Sequence, residues 1–95
     1  MIYGVLESLH IMAAFELTIH ATVVVTARAI KHEWIARILD SPTRTEPDNT
    51  DPALLHALGR IEEHGNRVLR VIYNPTTKPP KVVTVYFDRV MKGKL

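Results

Sequence analysis

The sequence predicts an α+β domain in which a helical segment precedes an antiparallel sheet, and three observations carry that prediction. Trp34, Ile35, Ile38 and Leu39 recur at i, i+1, i+4 and i+5, the apolar stripe of an amphipathic helix. Downstream, three strand-length segments follow one another, two of them rich in β-branched and aromatic residues. The links between them are short and contain Gly, Asn and Pro, so successive strands turn back on one another in a meander.

Taken in order, the 95 residues suffice for one domain. Residues 1–14 read as an N-terminal extension, 15–90 as the domain and 91–95 as a basic tail. Within the extension, Ile2 to Ile11 forms a short helix or an edge strand, and the pattern from Phe15 onward makes sense if the chain starts at Met12. Residues 17–30 read two ways. The run Thr22-Val23-Val24-Val25-Thr26 favours a strand, because β-branched side chains lose rotamer freedom in a helix. Thr18 as an N-cap, with Leu17, Ala21, Val24, Val25 and Arg28 at helical spacing, favours a helix.

Residues 32–40 form the clear helix, with Glu33 and Arg37 four apart in the favourable order. Asp40-Ser41-Pro42 ends it, since a proline disfavours the α region for the residue before it. Residues 43–52 read as a polar loop. Strands follow at 54–62, 67–73 and 81–88. Between the first two, His64-Gly65-Asn66 is a turn in which Gly or Asn accepts positive φ. Asn74 to Pro80 is a longer connection stiffened by proline.

The absence of cysteine excludes a disulfide framework, a thiolate metal site and a Cys nucleophile. Ile11 to Ile30 is the most apolar stretch, but Glu16, His20 and Arg28 interrupt it and no Lys or Arg precedes Arg28. It therefore has neither the uncharged span of a membrane helix nor the basic start of a signal peptide, and a cytoplasmic location without a membrane partner is expected. The net charge of +2 hides a split. Residues 1–63 balance at −4 and residues 64–95 at +6. A block of one sign creates a field that attracts polyanions, the usual footprint of nucleic-acid binding.

Alternation along the strands sorts this charge. Val83, Val85 and Phe87 share one face, as do Leu69, Val71 and Tyr73, and these apolar sets are expected beneath the helices. Arg70, Thr84 and Tyr86 then share the opposite face. An arginine between Val68 and Ile72 must reach solvent, a carboxylate or a phosphate, since unpaired buried charge is costly. A salt bridge to Asp88 or Glu62 is one outcome, and a bidentate grip on an RNA phosphate is the other. Of the histidines, His10, His56 and His64 sit in no constellation and read as surface or turn residues, and His32 as a capping or surface residue at a helix start. No histidine pair has metal-ligand spacing with a third ligand nearby, so no metal is expected.

The order His20-Ala21, Arg28-Ala29-Ile30, Glu33-Trp34-Ile35 up to Ser41-Pro42, then Leu69-Arg70-Val71-Ile72-Tyr73 and Val83-Thr84-Val85-Tyr86-Phe87 resembles the domain-of-unknown-function family numbered 4258, over roughly residues 15–90. Such proteins look like relatives of the BrnT and RelE toxins of bacterial type II toxin–antitoxin pairs. The resemblance implies a RelE/barnase-like ribonuclease fold, with two N-terminal helices packed on a three- to four-stranded antiparallel sheet, and makes residues 19–30 helical. It also implies roles for His20, Arg28, Arg70 and Thr84, while Val24 stands where the family usually has a second Arg.

On that footing the expected activity is metal-independent RNA cleavage without a cofactor, with RNA and a cognate antitoxin as partners and room for a homodimer. His20 is the expected acid or base, because histidine titrates near neutrality. Arg70 completes the catalytic set by stabilising the phosphate, with Thr84 as a positioning hydroxyl. Arg28, Arg67, Tyr86 and Arg89 are the expected substrate-binding residues. The alternative is a non-catalytic module that binds nucleic acid or protein through the same basic sheet face.

Overall fold

The computed structural model describes residues 14–95. The expectations for Ile2 to Ile11 and for a start at Met12 fall outside the described residues. Strand β1 (Glu16–Leu17) leads into helix α1 (Ile19–Ala27) and then helix α2 (His32–Asp40). Strands β2 (Arg44–Pro47), β3 (Leu55–Ile61), β4 (Arg67–Asn74) and β5 (Lys81–Phe87) follow, with a single 3₁₀ turn at Glu62–His64. The sheet order is β1-β5-β4-β3-β2. Strand β1 runs parallel to β5, and every other pairing is antiparallel.

The open question over residues 17–30 resolves mainly as a helix, and the polar β-branched residues show how. Thr18 is the N-cap, its Oγ1 accepting from the Ala21 amide at 3.1 Å. Thr22 and Thr26 donate their hydroxyls back to the carbonyls of Thr18 and Thr22 at 3.0 and 2.9 Å, so neither competes with the helix for a backbone partner. The helix ends in a Schellman arrangement. The Ile30 amide reaches the Val25 carbonyl at 3.0 Å and the Ala29 amide reaches Thr26 at 3.3 Å. Ala29 takes the left-handed position, at φ 53°, that glycine usually fills.

Helix α2 buries Trp34, Ile35 and Ile38 of its apolar stripe together with Ala36, while Leu39 is half-buried. Trp34, Ile35 and Ile38 join Ala21, Val25 and Ile30 over Ala57, Ile61, Leu69, Val71, Val82 and Val85 of the sheet. Both helices therefore lie on one face. Gly59 admits the close approach of α2, since a Cβ there would stand 2.5 Å from Ile38 Cδ1.

The fold is thus α+β, two helices on a five-stranded mixed sheet, and it corrects the expected sheet of three to four antiparallel strands. The additional strands come from segments without an apolar signal. Strand β2 lies inside the expected polar loop, where Arg44-Thr45-Glu46-Pro47 suits an exposed sheet edge. Strand β1 is only two residues long. Alternation along β5 also needs correcting. The β4–β5 register runs Ile72↔Thr84 and then Tyr73↔Val82, leaving Val83 as the extra residue of a bulge. Val82 rather than Val83 therefore enters the core with Val85. Gly65 and Asn66 both adopt the positive φ expected of their turn, at 68° and 56°.

Candidate nucleic-acid interface

The face of the sheet away from the helices is built around Arg70. Its neighbours in β4, Leu69 and Val71, point into the core, so its guanidinium projects to the other side, where it is 8% exposed. Burial of an arginine requires acceptors, and three side chains supply them. Nε donates to Asp88 Oδ2 at 2.9 Å, and Nη2 stands 2.8 Å from the same oxygen. Nη1 donates to Glu46 Oε1 at 3.0 Å and to His56 Nδ1 at 2.9 Å. Glu46 and His56 are cross-strand partners on β2 and β3, which is why both reach one nitrogen.

The network continues outward. Arginine only donates, so His56 Nδ1 must be the acceptor and the ring proton must sit on Nε2. From there it is donated to Asp48 Oδ1 at 2.7 Å. This bond, followed by the Asp51 and Thr50 amides on Oδ2, holds the Asp48 carboxyl down at about 2. Glu46 is likewise held below the usual carboxylate range by its hydrogen bond from Arg70. Burial resists ionisation of Asp88, but the Arg70 hydrogen bond and charge outweigh it and the net shift is downward.

Of the two outcomes open to Arg70, the structure shows the carboxylate one, with Asp88 as expected and with Glu46 in place of Glu62. The centre of this face is therefore not a free basic surface. Tyr86 lies directly across from Arg70, and Thr84 across from Ile72, so Arg70, Tyr86 and Thr84 do share the face. His20 does not join them. It is exposed on the first turn of α1, in the helical layer, and the sheet separates it from Arg70. His20, Arg70 and Thr84 consequently form no single constellation. His56 and His64, expected to stand alone, both sit in constellations instead.

The unanswered positive charge gathers elsewhere. Arg28 after α1, Arg67 at the start of β4, and Arg89 and Lys92 in the turns after β5 line one groove of about 720 Å³ with His64. All four cations are exposed, and none makes an ion pair among the described residues. Asp88 also borders the groove, but its charge is committed to Arg70. Its Oδ1 accepts the Val90 amide at 3.0 Å and the Met91 amide at 3.3 Å, fixing the turn that carries Arg89 and Lys92. From Asp88 to Lys94 the chain forms a succession of hydrogen-bonded turns.

Three of the four expected substrate-binding residues, Arg28, Arg67 and Arg89, thus meet, whereas Tyr86 remains on the sheet face. His64 and Lys92 were not among those expected, and Glu46, Asp48 and His56 were missed beside Arg70. The β3 pattern His56-Ala57-Leu58 carried a parity signal for His56, but its partners on β2 come from a segment that looks like loop.

In comparison with known proteins, the family described as "Domain of unknown function (DUF4258)" matches residues 17–87. The match runs from Leu17 in β1 to Phe87 at the end of β5, taking in Arg70, Glu46 and His56, while Asp88, Arg89 and Lys92 lie beyond it. No curated protein and no solved structure gives a significant match. No described helix is long and apolar enough to cross a membrane.

Proposed function

The chain belongs to the DUF4258 family, and from that premise we propose that it binds RNA in the Arg28–Arg67–Arg89–Lys92 groove and acts on it as a metal-independent ribonuclease, in the manner of RelE- and BrnT-like toxins. The observation that carries the proposal is the convergence of four exposed cations with no carboxylate committed to them. Such a set gains by replacing water and counterions with phosphates spaced along a strand. Three of the four are arginines, whose planar fork can bind phosphate in bidentate fashion. The layout of two helices on a sheet agrees with what the resemblance to these toxins implies for the fold.

In this role the domain works in the cytoplasm and is silenced by a cognate antitoxin that covers the groove with carboxylates. The same groove serves a second reading, a passive module that holds RNA without cutting it. It is favoured by the place of His20, which is on the first turn of α1, about 12 Å along the helix from Arg28, and is not among the residues that line the groove.

The test is induced expression in a bacterial host of the wild type and of a variant with Arg28, Arg67, Arg89 and Lys92 all changed to Ala. Growth and RNA integrity are followed, and RNA binding is measured on the purified chains. Growth arrest and RNA loss confined to the wild type are expected. Harmless expression of both, with no RNA bound by either, would sink the proposal. Binding by the wild type without cleavage would select the passive module.

A further inference from the structure

We propose that His64 is the general base of RNA cleavage in this groove, a position that rests on the functional reading above and deepens it. His64 is the imidazole that lines the groove, and its geometry is that of a fixed ring. It packs against Trp34 and Phe87, with ring centroids 5.1 and 5.0 Å away and interplanar angles of 36° and 37°, and the three rings form a triangle because Trp34 and Phe87 are themselves 6.0 Å apart. Its backbone leads into the left-handed pair Gly65 and Asn66.

Arg67 Nη1 stands 3.4 Å from His64 Nε2, which puts a ring nitrogen beside a cation placed to hold a phosphate. The competing groups are occupied. His56 has both nitrogens engaged, by Arg70 and Asp48, and Asp88 is held by Arg70 and two backbone amides. His20 is not on the groove.

The substrate class follows from the chemistry. With single-stranded RNA in the groove, His64 Nε2 takes the proton of a ribose 2′-hydroxyl and that oxygen forms a bond to the adjacent phosphorus. The bond from phosphorus to the 5′ oxygen breaks, and the departing oxygen takes a proton from water. The products are a 2′,3′-cyclic phosphate and a 5′-hydroxyl end, and the imidazolium returns its proton to solvent. Arg28, Arg67, Arg89 and Lys92 stabilise the added negative charge as the phosphorus becomes five-coordinate. DNA, lacking the 2′-hydroxyl, binds and is not cut.

The experiment uses the full chain with a labelled single-stranded RNA and its all-deoxy counterpart. His64→Phe keeps a ring against Trp34 and Phe87 but has no nitrogen, and His64→Gln keeps polarity without a basic nitrogen. Both variants should bind RNA within about two-fold of wild type while cleavage falls about 100-fold or more, the scale of a lost general base. If His64→Phe does not fold, as its thermal melt would show, His64→Gln decides. Cleavage by a folded variant at the wild-type rate overturns the proposal. So does a wild type that binds RNA and leaves it intact, in which case the groove survives and His64 does not. Absence of RNA binding by the wild type removes the groove reading itself.

Discussion

Arg67 and Arg70 stand three residues apart on the same strand, yet they serve different ends. Arg70 is buried on the open sheet face with its nitrogens committed to Asp88, Glu46 and His56. Arg67 is exposed at the strand's start, contacts His64, makes no ion pair among the described residues, and leaves its charge to whatever enters the groove. The difference shows that the role of a cation is read from what answers its charge rather than from its place in a basic stretch. Arg70 holds the fold together. Arg67, with Arg28, Arg89 and Lys92, is available to a ligand.

The largest effect expected from this contrast is on stability. Asp88→Ala strips Arg70 of its closest partner and leaves a buried charge part-compensated, which should cost about 3 kcal/mol by denaturant unfolding. Arg67→Ala should change stability by less than about 0.5 kcal/mol. Equal losses from the two would erase the distinction. On binding the order reverses. Arg67→Ala with Arg89→Ala should weaken RNA binding about ten-fold or more near physiological salt, while Glu46→Gln, a change confined to the network, leaves affinity within about two-fold.

Acid separates the two regions again. A group whose folded pKa is depressed contributes stability above its unfolded value and loses it as pH falls through the folded one. Asp48, lowered from 3.8 to about 2 by His56, and Glu63, lowered from 4.5 to about 2 by Arg37, set that window. The melting temperature should therefore fall between about pH 4.5 and 2, and Asp48→Asn should flatten part of the fall. A profile unchanged by that substitution would remove Asp48 from the network's account. The smallest effect concerns Ala29, whose left-handed φ follows directly on Arg28. Ala29→Gly should raise stability by about 0.5–1 kcal/mol without moving RNA affinity.

Much of this architecture was legible in the residues. The α2 stripe, the three main strands and the Gly65–Asn66 turn follow from periodicity and backbone preference, and the resemblance supplied the helix over residues 19–30. The bulge at Val83 was hidden, because alternation presumes a constant register. The partners of Arg70 were half visible. Asp88 could be named from strand parity, but Glu46 and His56 meet only because a polar segment pairs as edge strand β2. The charge split located the basic third of the chain, yet not its face. Arg28 reaches the groove from the end of a helix and Arg89 and Lys92 from a turn capped by Asp88, a convergence that strand alternation has no means of describing.

The division between a structural arginine and a ligand-facing set is tested most directly by the salt dependence of RNA binding. For single strands the slope of log affinity against log salt is about −0.7 per phosphate neutralised, so four groove cations give about −3. The Arg67→Ala, Arg89→Ala double variant should bring the slope to about −1.4, while Glu46→Gln leaves it at the wild-type value. A slope that ignores the groove substitutions and follows the Arg70 network instead would contradict the account.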